Sequence, residues 1–173
     1  MSRVTALIDA NNFYASCEQS LDPALLGRPV VVLSNNDGCI VARSAEARAL
    51  GIAMGTPYFK AKQDLEAQGV VVRSSNYALY ADMSQRLMSL LESQVEELEV
   101  YSIDEAFARI SRPADGDLRP WGRRMRALAR RNLGLPIAIG LGASKGQAKL
   151  ANRLAKVEAS HAGLFDLGDC GDG

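Results

Sequence analysis

At 173 residues, with 47% apolar and 23% charged side chains and no net formal charge, the chain has the make-up of a globular protein: one domain, or one domain carrying a small inserted lobe. A chain of this length buries roughly 70% of its unfolded surface, enough for a core that needs no covalent staples. There is no apolar run of the ~18 residues that would indicate a membrane span, and the apolar run near the amino terminus stops too soon for a signal peptide. The cysteines, Cys17, Cys39 and Cys170, are odd in number and widely spaced, which predicts reduced thiols in a cytoplasmic protein and argues against a zinc site.

The charges are segregated despite their balance. Residues 121–156 carry nine basic side chains and no acidic one, whereas residues 82–105 carry seven acidic side chains against Arg86 alone. A basic helical face beside an acidic pocket suits a polyanion running past a metal centre. For Arg123 to Arg131 a solvated helix face is an equally good reading. His161 lies in a polar, glycine-bounded stretch and is given no role.

In chain order, residues 4–8 read as a strand that ends at Asp9, and 11–20 as a helix beginning just beyond it. Strands at 29–34 and 39–43 are joined by Asn35-Asn36-Asp37-Gly38, a strong hairpin turn. Ser44 caps a helix at 45–50, which Gly51 ends. A turn at 55–57, a helix at 60–67 and a strand at 70–73 follow. Leu79, Met83, Leu87, Leu90 and Leu91 form a helical stripe within 76–94. Strands at 95–103 and 106–110 bracket Asp104 and Glu105, then come a basic amphipathic helix at 118–133, a strand at 137–141 and a helix at 145–156. The outer pieces read β-α and then β-β-α-β-α, which predicts an α+β fold: a split βαβ sheet with helices on one face and an inserted lobe from about residue 22 to 73. In such a sheet Asp9 and Asp104 come from neighbouring strands and point to the same end.

Asp9 and the pair Asp104-Glu105 each end a short apolar run. A buried carboxylate is costly unless something cationic neutralises it, and three together would raise one another's pKa values. The pattern points to a hard-cation site of oxygen ligands, of the kind Mg²⁺ uses alongside substrate phosphates. The competing reading is that an acid ending a strand is a turn former or helix cap. Gly140-Leu-Gly-Ala-Ser-Lys145-Gly is neither a Walker loop nor a dinucleotide fingerprint. What survives is a turn and a helix start with Lys145, which makes a fair anion site, and Lys149 one turn on shares its face. Phe13 and Tyr14 at a helix start are ordinary core candidates; beside a bound nucleotide, a Tyr ring could exclude a 2′-hydroxyl.

Five ordered segments go further. Asp9-Ala-Asn-Asn-Phe-Tyr-Ala-Ser-Cys-Glu18, Pro29-Val-Val-Val-Leu-Ser-Asn-Asn-Asp-Gly-Cys39, Ser75-Asn-Tyr-Ala-Leu-Tyr-Ala-Asp-Met-Ser84, Tyr101-Ser-Ile-Asp-Glu-Ala-Phe107 and Ala148-Lys-Leu-Ala-Asn152 resemble, in order, segments of the Y-family translesion DNA polymerases, within them the UmuC branch that supplies the catalytic subunit of the SOS mutagenesis polymerase. The resemblance spans residues 4 to about 167. It implies a ferredoxin-like palm (1–21 and 75–167), a small α/β fingers lobe (22–74) and a tail (168–173). It also implies that the family's thumb, little-finger domain and clamp-binding tail are absent.

The same resemblance makes Asp9 and Asp104 metal-bridging aspartates and Glu105 the third catalytic carboxylate, around two Mg²⁺ ions that the Ala10 carbonyl helps to hold. Phe13 becomes the nucleotide-stacking aromatic, Tyr14 the steric gate against ribonucleotides, and Arg48 and Lys149 the triphosphate clamp. The small side chains of 40–42 resemble the roof over the nascent base pair. Ala45 stands where many relatives carry a phosphate-contacting tyrosine, so one hydrogen bond is missing there. The implied partners are primer-template DNA, deoxynucleoside triphosphates, the SOS accessory subunit and its recombinase filament, with no membrane. Without further grip domains, binding to DNA is expected to be weak, because non-specific affinity follows the number of phosphates contacted. A non-catalytic module that binds DNA or an SOS partner, and a palm-fold nucleotide cyclase, are the rival readings.

Overall fold

The computed structural model describes residues 2–170; the expected Cys170 thiol and residues 171–173 of the tail lie outside the described residues. Its elements are β1 (Arg3–Ala10), α1 (Phe13–Leu21), β2 (Val30–Leu33), β3 (Ile40–Arg43), α2 (Ala45–Ala49), α3 (Tyr58–Ala67), β4 (Val71–Arg73), α4 (Tyr77–Glu92), β5 (Glu97–Val100), β6 (Glu105–Ser111), α5 (Arg119–Leu133), β7 (Ile137–Gly142), α6 (Lys145–Val157) and β8 (Leu164–Asp166). They form two compact units, one of residues up to Asn11 and from Ser84 onward, the other of Asn12–Met83. The division falls inside α4.

The first unit is built on a five-stranded sheet in the order β5-β6-β1-β7-β8. β1 runs antiparallel to both β6 and β7, and β5 and β6 form an antiparallel pair. This is the split βαβ, ferredoxin-like order that the element pattern predicts. β8, parallel to β7, extends it by one strand that the sequence does not announce. Three residues are too few to display a two-residue alternation. Arg112 secures that edge, donating to Asp166 Oδ2 and to the Gly116 carbonyl at 2.8 and 2.7 Å.

β7, Ile-Ala-Ile-Gly-Leu-Gly, is buried at every position, so both faces of the sheet are covered there. α5 takes the Leu164 side: a Cβ on Gly122 would lie 2.6 Å from the Leu164 side chain. α6 is an addition on the opposite side. A Cβ on Gly140 would come within 2.0 Å of the Asn152 backbone nitrogen and 2.4 Å of the Ala148 carbonyl oxygen. Only glycine lets this helix lie so close. The buried Asn152 side chain then pins it, its Nδ2 donating to the carbonyls of Leu7 at 3.1 Å and Ala138 at 3.2 Å.

The second unit holds a three-stranded sheet, β3-β2-β4, with β2 and β4 parallel. Val31, Leu33, Ile40, Ala47, Ile52, Leu65 and Val70 make its core. The β2–β3 turn forms where Asn35 to Gly38 predict it, with Asp37 at φ 55° and the Ser34 hydroxyl oxygen accepting from the Gly38 and Cys39 amides at 3.1 Å. Ser44 caps α2 as expected, accepting from the Ala47 amide, and it also receives the Val30 amide at 2.9 Å.

One expectation changes in a way that matters. The strand expected at 95–103 is only Glu97–Val100. Beyond it the Tyr101 and Ser102 amides both donate to the Glu105 carbonyl, at 3.0 and 3.1 Å, and close a tight turn. Asp104 therefore sits in a loop, not in a strand.

Candidate active site

The last turn before β6 and the end of β1 meet in the first unit. Asp9 stands opposite Glu105 of β6 and Ala138 of β7. The Ala10 amide donates to the Asp104 carbonyl at 2.8 Å, which fixes the turn against β1. The backbone therefore brings Asp9, Ala10, Asp104 and Glu105 to one end of the sheet. Ser102 Oγ donates to Asp104 Oδ1 at 2.8 Å and orients that carboxylate.

Residues opposite one another in a ladder share a face, and alternate residues of a strand return to it. Asp9, Leu7, Glu105, Phe107 and Glu99 consequently line one face, the face that α6 covers. α6 lays three lysines along it. Lys145 Nζ lies 2.6 Å from Glu99 Oε2 and 5.2 Å from the Phe107 ring centre. Lys149 Nζ sits 4.7 Å from the Tyr101 ring centre and donates to its hydroxyl at 3.2 Å. Lys156 Nζ donates to Asp9 Oδ2 at 2.6 Å. Positions 145, 149 and 156 fall on one helical face, and Ser144, which accepts from the Gln147 amide, starts the helix at the right register.

Burial is the largest influence on Asp9, and it raises the pKa of that carboxyl above its usual 3.8. The Lys156 hydrogen bond and charge pull it down, and Asp104 and Glu105 push it up. Among the described residues no group of three or more His, Cys, Asp or Glu side chains is gathered closely enough to hold a metal. Asp9 is engaged instead by Lys156 and Asp104 by Ser102. The donor set nevertheless fits a hard cation. It is all oxygen, it comes from two register-locked segments, and its Asp9 carboxylate already draws a cation to contact distance.

The remaining candidates belong to the second unit. Asn12, at φ 49°, turns the chain into α1. Phe13 is buried, and the Tyr14 ring stacks on Tyr80 with centroids 4.3 Å apart and planes 13° from parallel. Tyr77 meets Tyr14 edge-on at 6.2 Å. Tyr80 is fully buried and its hydroxyl donates to the buried Glu18 Oε1 at 2.8 Å. Burial first and the Glu18 carboxylate second push the Tyr80 phenol well above its ordinary pKa. Arg48 is exposed in the last turn of α2.

The sequence assigns no individual site role to Lys156, Ser102, Tyr101, Asn152, Tyr80 or Glu18. Lys156 carried a signal: it follows Lys149 by seven residues, two helical turns. The pairing of Glu18 with Tyr80 spans 62 positions and has none.

A family profile described as impB/mucB/samB matches residues 8–153. The chain belongs to the impB/mucB/samB family. Within it, the chain is 54% identical over 152 residues to protein UmuC of Salmonella typhimurium, covering 87% of this chain and 36% of that protein. DNA polymerase IV of Corynebacterium diphtheriae is 38% identical over 160 residues, covering 90% and 35%. Among solved structures, DinB from Sulfolobus solfataricus superimposes with a TM-score of 0.81 at 25% identity, covering 95% of this chain and 48% of that one. An insertion ternary complex of Dbh DNA polymerase gives 0.81 at 26%, covering 95% and 48%. The likeness to the UmuC branch of the Y-family polymerases is thus borne out, and this impB/mucB/samB chain spans little more than a third of the curated relatives' length. No described helix is long and apolar enough to cross a membrane.

Proposed function

We propose that this impB/mucB/samB chain is the palm and fingers portion of a translesion DNA polymerase, carrying out template-directed nucleotidyl transfer in the cytoplasm. The observation that carries the reading is the register of β1 and β6, which sets Asp9 opposite Glu105 and hydrogen-bonds Ala10 to Asp104. Residues 1–21 and 75–167 are the palm and 22–74 the fingers in this reading. Asp9, Asp104 and Glu105, with the Ala10 carbonyl, are the groups that hold divalent metal. Two Mg²⁺ ions, when bound, would activate a primer 3′-hydroxyl and steady the departing pyrophosphate.

The chain's own residues do the rest. Lys149, on the helix pinned by Asn152, neutralises charge on the nucleotide's phosphates, and Arg48 in the fingers does the same from its exposed position. Phe13 supports the nucleotide, and the Tyr14 ring, fixed by its stack on Tyr80, blocks a 2′-hydroxyl. Primer-template DNA and deoxynucleoside triphosphates are the substrates; the SOS accessory subunit and recombinase filament are the protein partners.

Primer extension tests this, run with Mg²⁺, deoxynucleotides, low salt and high protein concentration. Slow distributive addition that Asp104→Ala abolishes is the expected result. DNA or partner binding without any addition, unchanged by Asp104→Ala, would replace the enzyme with a binding module. A cyclic product from one nucleoside triphosphate without primer would replace it with a cyclase.

A further inference from the structure

Lys156 is the one lysine of the α6 stripe in contact with a candidate metal ligand. We propose that the Lys156 ammonium is a resident counter-cation for Asp9, sitting on the carboxylate oxygen that divalent metal takes and displaced from it when metal binds. The inference rests on the metal reading above and adds a competitor to it.

The geometry supports competition over mere proximity. Nζ is 2.6 Å from Oδ2, so the ammonium already balances the charge at that oxygen and its own positive charge opposes a second cation there. The Asp9 side chain is only 14% exposed, so water alone does not compensate its charge. Lys145 and Lys149 face other partners, Glu99 and Tyr101, and do not stand in for Lys156. The backbone of α6 is immobilised by the Gly140 contact and the two Asn152 hydrogen bonds, so the exchange needs only side-chain motion. Lys156 is itself 37% exposed, which leaves its ammonium a route back to water. Lysine chemistry suits such an exchange, because a compact charge on a flexible stem leaves more readily than a forked guanidinium. Exchanging one cation for another never leaves Asp9 bare.

The test is Mn²⁺ binding to the 173-residue chain, followed by loss of the free-ion electron paramagnetic resonance signal, with no nucleotide or DNA present. Lys156→Met should bind Mn²⁺ roughly fivefold more tightly than the wild type, the factor that a partly exposed ion pair is worth. Lys156→Gln should move in the same direction, and serves if the Met variant does not fold. Lys156→Arg keeps the charge and should stay within about twofold of the wild type or weaker. Without metal, Lys156→Met should melt below the wild type, and saturating Mn²⁺ should close the gap. Equal or weaker Mn²⁺ binding by both neutral variants, with binding still lost in Asp9→Asn, overturns the proposal alone. Mn²⁺ binding that Asp9→Asn and Asp104→Ala leave untouched sinks the metal reading, and the proposal with it.

Discussion

Glu18 in the second unit and Asp9 in the first are both largely withdrawn from water, and the two are treated differently. Glu18 in the second unit is 6% exposed and receives a phenol hydroxyl from Tyr80. Asp9 in the first unit receives an ammonium and remains partly open. A phenol satisfies an oxygen without bringing an exchangeable charge, and what it fixes is shape: Tyr80 carries the stacked Tyr14 ring. An ammonium on a flexible stem balances charge and can be replaced. Glu18 thus serves to hold a ring in place, whereas Asp9 is balanced by a charge on a flexible, partly exposed side chain.

The sharpest way to break this contrast is to loosen the helix that supplies the ammonium. Gly140→Ala puts a methyl carbon where the α6 backbone already lies, and backbone cannot yield as a side-chain tip does. We expect a loss of about 3 kcal/mol in urea unfolding, the upper part of the overpacking range. A loss under about 1 kcal/mol would mean that α6 is not seated tightly enough to place Lys149 and Lys156.

Next is the phenol. Tyr80→Phe keeps the stacked ring and strands Glu18 in the interior, at an expected cost of about 2 kcal/mol. Lys156→Met should cost about 1 kcal/mol or less in the same assay, because Asp9 still reaches water. The contrast fails if the order of the two is reversed.

A smaller effect appears with pH. The folded chain holds the Asp9 proton above the usual 3.8, because burial outweighs the pull of Lys156. Between that value and the raised one it binds more protons than the unfolded chain does. The stability from this group is complete below 3.8 and is lost as pH rises through the folded value. Asp9→Asn cannot titrate, so its unfolding free energy should fall less than the wild type's across roughly pH 3 to 7. Parallel curves would show that Asp9 carries no such burden.

Much of this was legible because it is local. Asn35 to Gly38 had to turn, Ser44 had to cap, and the apolar runs before Asp9 and after Glu105 had to pair if either was to be buried. The order of elements then left a split βαβ sheet as the economical arrangement. What stayed hidden depends on distance or on very short signals. The Asp104 turn looked like strand because Val100, Tyr101 and Ile103 are good strand residues, yet all three are exposed and the chain folds back on Glu105 instead. Nothing in the sequence says that Lys156 reaches Asp9, 147 positions away, until Gly140 and Asn152 set the helix on the sheet.

The gentlest probe of the contrast is thiol chemistry, which reports how closed the second unit is without altering it. Cys17 is fully buried on α1 beside Glu18; burial, and then the Glu18 charge, push its thiol up to about 12. Cys39, at the end of the hairpin turn, is only half-buried. The thiolate is the nucleophile, so at about pH 8 Cys17 should alkylate at least a hundredfold more slowly than Cys39. Iodoacetamide labelling followed by peptide mass spectrometry separates the two sites directly. Comparable rates would mean that water reaches the base of Glu18, and a carboxylate that water reaches does not need Tyr80. The two acids would then differ in degree, not in kind.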